Sequence, residues 1–276
     1  MNDAPDLVGF YSEGTYERDR LARGRGRLEF ARTQELLARF LPAAPARVLD
    51  VGGGPGVYAA SLAGQGYDVE LVDVVPALVE QARALSAAQR EQPFTASLGD
   101  ARRLKFPDAS ADAVVELGPL YHLTEAADRY QALAEAYRVL RPGAPLLAGA
   151  ISRFTVPLDA MRAGTLDQAA ARRMQSGVLA SGRLEGSGTF TGAYMHRPNE
   201  FADELASAGF QEVKLLGVEG PGWMLFETSG REGSPGTPVG DDVLLEAAIE
   251  CARATESDPS LLGASAHLLG VARVPA

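Results

Sequence analysis

Apolar positions follow two alternating patterns along the chain. Short runs rich in valine and leucine occur at residues 46–51, 68–73, 112–117 and 145–151. Continuous apolar runs of this length are typical of strands in a parallel sheet that is covered on both faces. Longer stretches with helical spacing separate them, at residues 56–64, 75–90 and 124–140. Strands and helices therefore alternate, which predicts an α/β fold with right-handed crossovers.

The helix predicted at residues 124–140 has a candidate buried face. A stripe of apolar positions recurs at helical spacing, formed by Leu123, Ala127, Tyr130, Ala134 and Tyr137. Such a stripe is expected to pack against the sheet. We expect Thr124 to cap the start of this helix, and Pro142 with Gly143 to end it.

The flanking segments divide the chain into four parts. Residues 1–45 form an N-terminal helical segment, whose helix is predicted at 19–41, and residues 46–151 form the core. Residues 152–197 contain helical pieces around 156–163 and 167–180 and then a glycine-rich stretch. An insert of this length predicts a lid or a binding loop. Residues 198–276 return to the core with a helix at 199–210 and strands at 211–218 and 265–274, which we expect to pair in antiparallel fashion at one sheet edge.

Composition and charge narrow the possible functions. The chain has 276 residues, 46% hydrophobic and 22% charged, with a formal charge of -10 and a pI of about 4.9. A surface this acidic repels phosphate backbones and anionic lipids, so neither nucleic acid nor membrane is an expected partner. The N-terminal region is basic, in contrast to the acidic chain as a whole, and its arginines either bind an anion or form a solvated helix face. These arginines are Arg18, Arg20, Arg23, Arg25, Arg27 and Arg32.

Cysteine usage and the N-terminal sequence predict a cytoplasmic protein. Cys251 is the single cysteine, so no intramolecular disulfide can form. The first residues, MNDAPDLVGF, lack the basic and apolar regions of a signal peptide, and no window reaches the length of a membrane span.

The strongest chemical signal is a glycine-rich turn after the first strand. Residues 48–59 read VLDVGGGPGVYA. Glycine weakens regular elements, so four glycines in five residues indicate a tight turn or a ligand close to the backbone. Val57 stands where a dinucleotide fingerprint starting at Gly52 requires glycine, and no lysine follows as a phosphate-binding loop requires.

The pattern D-x-G-x-G-x-G from Asp50 to Gly56 resembles the first motif of the class I S-adenosylmethionine (SAM)-dependent methyltransferases. Three later strand ends agree with this family: Asp73 where it has an acid for the ribose, Asp100 in SLGDARRLKF where it meets the adenine, and the segment ELGPLY where it lines the methyl donor. The resemblance implies SAM as cofactor, with S-adenosylhomocysteine (SAH) as its product. The implied cofactor-binding residues are Asp50, Gly52, Gly53, Gly54, Gly56, Asp73, Val74, Asp100, Ala101, Glu116, Leu117, Gly118, Tyr121 and, from the N-terminal segment, Tyr11 and Tyr16.

The same resemblance implies a Rossmann-like sheet of seven strands, six parallel and one antiparallel, with helices on both faces and a small helical cap. Nucleic-acid amino methyltransferases of this fold carry Asn/Asp-Pro-Pro-Tyr/Phe after the fourth strand, whereas this chain has GPLY at residues 118–121. We therefore expect a small-molecule acceptor and a protein that is a monomer or homodimer. A non-catalytic SAM- or nucleoside-binding module is an alternative function, and a nicotinamide-dependent oxidoreductase is a less favoured one.

Histidines are the candidate bases for an acceptor that must lose a proton. His122 follows the fourth strand and is either a base or a residue that packs at the helix start. His196 in AYMHRP is a weaker candidate, and His267 in the apolar last strand is predicted to be a core residue. The sequence has no H-x-x-x-H or comparable cluster, so we expect no metal site.

Overall fold

A computed structural model describes residues 7–12, 19–89, 92–186, 191–226 and 241–276. Within these ranges seven strands form one sheet, in the order β3-β2-β1-β4-β5-β9-β8. Their bounds are β1 Arg47–Val51, β2 Asp68–Asp73, β3 Thr95–Leu98, β4 Ala113–Glu116, β5 Pro145–Ile151, β8 Gln211–Gly217 and β9 His267–Arg273. Strand β9 runs antiparallel to both of its neighbours and the other six are parallel. The predicted seven-stranded, Rossmann-like sheet is confirmed.

The described helices alternate with the strands and extend the fold at both ends. Their bounds are α1 Leu7–Ser12, α2 Arg25–Phe40, α3 Val57–Gly64, α4 Pro76–Ala88, α5 Pro119–His122, α6 Ala126–Val139, α7 Thr155–Arg162, α8 Gln168–Ser176, α9 Val178–Ser181, α10 Pro198–Ser207 and α11 Asp241–Thr255. Each predicted helix of the core has a counterpart within a few residues, because apolar spacing and proline or glycine punctuation specify helices locally. None of the helices in the described ranges has both the length and the apolar character that crossing a bilayer requires.

Alternate residues of the central strands enter two different hydrophobic clusters. Leu49 of β1 and Val114 of β4 pack in one cluster with Leu133 of α6. Their sequence neighbours Val48 and Val115 pack in the other, which includes Leu37 of α2 and Leu62 of α3. Because successive strand side chains point to opposite faces, this division places one apolar layer on each side of the sheet. Leu49 and Val48 are fully buried, and such close-packed layers make the sheet a firm base for its carboxyl edge.

The predicted buried face of α6 is wrong in part: Leu123 and Tyr137 pack against the core, but the three positions between them do not. Ala127, Tyr130 and Ala134 are exposed, and Tyr130 retains 41% of its accessible surface. The residues that α6 buries are instead Arg129, Ala132, Leu133, Ala136 and Val139. Alanine occurs on both faces of this helix, so its spacing alone does not distinguish them. Glu125, and not Thr124, stands at the N-cap.

The predicted insert contains more structure than short helices. Besides α7, α8 and α9 it contains a small antiparallel pair, β6 Arg183–Leu184 with β7 Ala193–Tyr194. Ile151 at the end of β5 packs against Val178, Ala193 and Met195 of the insert, with Tyr121 beside them. The insert is thereby attached to the sheet where β5 ends, next to the segment that follows β4.

Candidate functional site

The carboxyl ends of β1 to β4 meet at one edge of the sheet and open into a cavity of about 670 Å³. Ligands of open α/β sheets bind at this edge. Most of the predicted cofactor residues contact the cavity, together with Tyr11 of α1. The predicted residues that line it are Gly52, Gly54, Asp73, Val74, Asp100, Ala101, Gly118, Tyr121 and His122.

The glycine turn between β1 and α3 has the backbone that its composition predicts. Gly52, Gly54 and Gly56 all have positive φ angles, of 70°, 57° and 85°. A Cβ atom on Gly52 would lie 2.4 Å from Cγ of Pro119, and one on Gly56 would lie 2.8 Å from Phe94. A Cβ on Gly54 would meet no heavy atom within 4 Å, since this residue faces the cavity. Gly54 is therefore the open position where a ligand can approach the main chain.

The Asp73 carboxylate connects the end of β2 to the glycine turn by a hydrogen bond. Its Oδ2 accepts a hydrogen bond from the backbone N–H of Gly54 at 2.9 Å, and its Oδ1 accepts one from Val75 at 2.8 Å. Burial raises the pKa of Asp73, while the hydrogen bonds from Val75 and Gly54 lower it, and the net direction is upward. The carboxylate still lines the cavity, so its free lone pairs face the space where ligand hydroxyls would lie.

Asp50 lies beneath the same turn. It is 1% exposed, and its Oδ2 has no hydrogen-bond partner in the described part of the chain. A Cβ on Gly53 would lie 2.5 Å from that oxygen, so the turn covers the carboxyl group closely. Burial, reinforced by the nearby charge of Asp73, raises the pKa of Asp50 to about 7. Asp50 is thus half protonated near neutral pH and supports the turn from below.

Asp100 and Arg102 form a fixed pair at the opposite wall of the cavity. Oδ2 of Asp100 accepts a hydrogen bond from Arg102 at 2.7 Å, and Oδ1 accepts one from the backbone N–H of Arg102 at 2.9 Å. The hydrogen bond from the Arg102 side chain lowers the pKa of Asp100, which remains charged. Ala101 between them is partly buried and lines the same wall.

Glu116 differs from the other strand-end acids because it is enclosed in the core. It is 1% exposed, and neither carboxyl oxygen has a hydrogen-bond partner among the described residues. Burial raises the pKa of Glu116 to about 8, so the group is mainly neutral at pH 7. Leu117 and Gly118 after it reach the site, where a Cβ atom on Gly118 would lie 3.0 Å from the carbonyl oxygen of Gly52. The acid itself does not line the large cavity.

His122 ends α5 and is held on both sides. The Tyr11 hydroxyl lies 3.2 Å from its Nε2, and the Thr191 hydroxyl lies 3.0 Å from its Nδ1. The rings of Tyr11 and Tyr121 also pack against the imidazole, at centroid distances of 5.5 and 4.5 Å. Burial lowers the pKa of His122 to about 4, so the ring is neutral at pH 7. Predicted Tyr16 lies outside the described residues.

His196 lies apart from the cavity. It is 1% exposed, and its Nε2 lies 2.7 Å from Oε2 of Glu204. Glu204 also accepts a hydrogen bond from Arg129 at 2.8 Å, which completes a buried ion-pair cluster. Burial lowers the pKa of His196 more than Glu204 raises it. This placement joins the exit of the insert to α10, and His196 lines neither cavity at the site.

A second, smaller cavity of about 100 Å³ adjoins the glycine turn on the other side. It shares Gly52, Gly54, Pro55, Gly118 and Tyr121 with the large cavity, and it is also lined by Gly53 and Leu117. Its far end is polar and contains Arg20, Glu29, Thr33, Tyr58 and His267. The expectation that His267 is a core residue is wrong, since its side chain is 27% exposed and lines this cavity.

His267 belongs to a charged cluster that local sequence does not show. Ligand atoms of Glu29, Glu219 and His267 lie within 4.8 Å of one another, a spacing that also suits a metal ion. Arg20 donates to both carboxylate oxygens of Glu29, and His267 bonds to Glu219. These bonds make the cluster an ion-pair network. The signal available in the sequence was a histidine at the start of a strand on the ligand-binding edge of the sheet.

Comparisons with known proteins agree with this geometry. The profile of the Methyltransferase domain family matches residues 48–143. A demethylmenaquinone methyltransferase of Deinococcus radiodurans is 40% identical over 40% of this chain, but the match covers only 45% of that enzyme. The ubiquinone/menaquinone biosynthesis C-methyltransferase UbiE of a Bradyrhizobium species is 31% identical over 66% of this chain and 75% of the relative. In structure, a SAM-dependent methyltransferase of Methanosarcina mazei superposes with a TM-score of 0.58 over 87% of this chain and 97% of that one, at 16% identity.

Proposed function

Because the chain belongs to the class I SAM-dependent methyltransferases, we propose that it binds SAM at the carboxyl edge of its sheet and methylates a small hydroxylated aromatic acceptor. The observation that carries the proposal is the junction of Asp73 with Gly54. This junction presents a buried carboxylate and an open stretch of backbone to one cavity. An acid at the end of the second strand is suited to the two ribose hydroxyls of a nucleoside.

The residues around the cavity fit the cofactor. Asp73 would hold the ribose, the apolar pair Val74 and Ala101 would flank the adenine, and the glycine turn would support the methionine part. A cavity of about 670 Å³ also leaves room for an acceptor beside Tyr121, which lines the smaller cavity as well. SAM supplies an electrophilic methyl group on a sulfonium. The protein's contribution is then to align the acceptor and to exclude water.

Tyr11 and His122 are suited to position the acceptor. Helix α1 places Leu7, Val8 and Tyr11 over the cavity, and the hydroxyl of Tyr11 bonds to His122. The neutral imidazole, whose pKa burial lowers to about 4, holds the Tyr11 hydroxyl in place without repelling a sulfonium. His122 is a weak proton acceptor at that pKa, so its part in proton abstraction remains a prediction.

The acceptor class is proposed from the cavity lining and from the relatives. Aromatic and apolar side chains dominate the wall near His122, where Tyr11, Tyr121 and Leu123 lie. Such a wall favours a flat ring over a charged metabolite. Demethylmenaquinone and ubiquinone/menaquinone methyltransferases are among the relatives, and their names point to quinone-type rings.

Calorimetry with SAM and SAH tests the cofactor site. We expect both to bind, and Asp73→Ala to weaken SAM by roughly 100-fold through loss of two charge-assisted hydrogen bonds worth about 3 kcal/mol together. Asp68→Ala is the matched control, since Asp68 is an exposed acid at the opposite end of the same strand. Equal SAM affinity in Asp73→Ala and the unmodified protein would contradict the assignment.

Turnover separates an enzyme from a module that only binds SAM. Methyl-labelled SAM is offered with a panel containing 1,4-naphthoquinol, catechol and a primary amine such as phenethylamine. We expect label to enter the quinol or the catechol and not the amine. If label enters the amine alone, the proposed acceptor class is wrong. If SAM binds but no compound of the panel is methylated, the result favours a module that only binds SAM.

A further inference from the structure

We propose that His267, oriented by Glu219, accepts the proton that the methyl acceptor releases. The inference rests on the proposed function and adds to it a proton acceptor on the second side of the site. Glu219 follows the end of β8 and His267 begins β9, beside Ile151 at the end of β5. Both residues therefore stand at the edge of the sheet where the ligand site lies.

Glu219 fixes the orientation of the His267 ring. Its Oε1 lies 2.5 Å from Nδ1 of His267, and its Oε2 accepts the backbone N–H of His267 at 2.9 Å. The hydroxyl of Ser265 donates to the same Oε2 at 3.0 Å. Glu219 is 2% exposed, so these bonds are shielded from water. A carboxylate accepts only, so Nδ1 carries the proton and Nε2 is left as the basic nitrogen.

The ring is open toward the ligand. Its side chain is 27% exposed and lines the smaller cavity, which reaches Gly52 and Tyr121 at its other end. Among the described residues Nε2 has no hydrogen-bond partner, whereas both ring nitrogens of His122 lie within hydrogen-bonding distance of hydroxyl groups. The smaller cavity thus joins His267 to residues that also line the large cavity, and Nε2 of His267 is the available nitrogen.

Surrounding charges make His267 the stronger base of the two. Burial lowers the pKa of His267, but the carboxylates of Glu219 and Glu29 raise it further than burial and Arg20 lower it. The groups that face the ring from neighbouring elements are Glu29 of α2, with Oε2 4.0 Å from Nδ1, Arg20 before that helix, and Tyr58 of α3. Burial lowers the pKa of His122 to about 4, well below the ordinary histidine value.

The proposed step conserves atoms and charge. An O–H bond of the acceptor breaks, and its proton moves to Nε2. The electron pair left on the acceptor forms the new bond to the methyl carbon. The sulfur keeps the electron pair of the bond that breaks, and the proton then leaves His267 to water. Glu219 is the positioning residue, since it touches His267 and not the acceptor.

Nuclear magnetic resonance of labelled histidine tests the location of His267 without any acceptor. The chain has three histidines, and the spectrum of His267→Gln identifies the signal. SAM and SAH differ by one positive charge at the reacting sulfur. A His267 ring close to that sulfur should titrate about half a pH unit lower with SAM than with SAH, as expected for a charge roughly 6 Å away across water.

An identical His267 titration with SAM and SAH would overturn the proposal. Calorimetry on the same samples distinguishes the two possible failures: if SAM does not bind, the proposed function fails, and if SAM binds but the titration is unchanged, only the role of His267 fails. His122 serves as an internal reference, because a ring whose pKa lies near 4 should not titrate between pH 5.5 and 8.

Kinetics with the acceptor that turns over in the panel tests the chemical role. We expect His267→Gln to reduce kcat at least about 100-fold with little change in KM for SAM. Glu219→Gln removes the charge that raises the pKa of His267, so the acid limb of the pH–kcat profile should move to lower pH. Unchanged kcat in His267→Gln, or an unmoved acid limb in a folded Glu219→Gln protein, would contradict the assignment.

Discussion

Asp73 accepts a hydrogen bond from the backbone N–H of Gly54 at 2.9 Å, so the acid that ends β2 holds the glycine turn that follows β1. The two residues are 19 positions apart in the chain. Their contact exists because β1 and β2 are parallel neighbours whose carboxyl ends meet. The same carboxylate therefore shapes the turn and lines the cavity.

This double role predicts that Asp73→Asn destabilises the protein even without ligand. An amide keeps one acceptor oxygen, so the N–H of either Gly54 or Val75 loses its partner. We expect the free energy of unfolding to fall by about 2 kcal/mol, the usual cost of an unsatisfied buried group. Urea unfolding measures it, with Asp68→Asn as the control at the exposed end of the strand. Equal stability of the two variants would show that the turn does not depend on this contact.

Neighbouring glycines of the turn should respond to alanine in different ways. A methyl group at Gly53 would lie 2.5 Å from the Asp50 carboxylate and 2.6 Å from Leu71, so Gly53→Ala is expected to unfold at a clearly lower temperature. A methyl group at Gly54 meets no protein atom, although the positive φ of 57° costs about 1 kcal/mol. We expect Gly54→Ala to fold but to bind SAM at least roughly 10-fold more weakly. Thermal melts with and without SAM compare the two variants, and equal stabilisation of Gly54→Ala and the unmodified protein by SAM would refute the close approach.

The enclosed carboxyl group of Glu116 should make stability fall as pH rises. Its pKa is about 8 in the folded protein, whereas the unfolded chain has an ordinary value near 4.5. Between these values the unfolded state releases a proton that the folded state keeps, so deprotonation favours unfolding. One such group contributes a slope of roughly 1 kcal/mol per pH unit. When the free energy of unfolding is measured from pH 5 to pH 8, it should fall less steeply for Glu116→Gln than for the unmodified protein. If the two proteins lose stability in parallel, Glu116 does not titrate in this range.

The buried and exposed ion pairs of the chain should differ sharply in their effect on stability. Arg129 and Glu204 are 4% and 7% exposed, and removing one partner leaves the other charge buried. We expect Glu204→Ala to lower the free energy of unfolding by about 3 kcal/mol. Glu125 pairs with Arg183 at the surface, where both side chains are about half exposed, and Glu125→Ala should leave the melting temperature unchanged within error. A similar effect of the two variants in chemical unfolding would contradict the distinction.

Tyr11→Phe tests the role of the Tyr11 hydroxyl separately from the role of its ring. The substitution removes the group that lies 3.2 Å from Nε2 of His122 but keeps the ring contact at 5.5 Å. We expect SAM affinity to change less than about threefold, and turnover with the reactive panel acceptor to fall by roughly 10-fold for one lost hydrogen bond at the site. An equal loss of SAM affinity and turnover would show that Tyr11 serves cofactor binding alone.

The sequence by itself determined the architecture and much of the lining of the large cavity. Strand β1, the glycine turn and Asp73 follow from local apolar runs, from the backbone freedom of glycine and from the rule that parallel strands end at one edge. Each signal lies within a few residues of the structure that it specifies. Asp73 and Asp100, at the ends of successive strands, do line one cavity, whereas Glu116 at the end of the next strand is enclosed in the core.

Only the tertiary structure decided which side chains complete the site. His122 lies beside Tyr11 and Thr191, 111 and 69 positions away, and His267 lies beside Glu219, 48 positions away. Such contacts depend on how α1, the insert and the edge strands pack, and local sequence patterns do not predict that packing. The buried face of α6 was missed for the same reason, since alanines fit both faces of a helix. A sequence specifies elements through local free energies, while pairs of distant side chains are set by the packing of the whole chain.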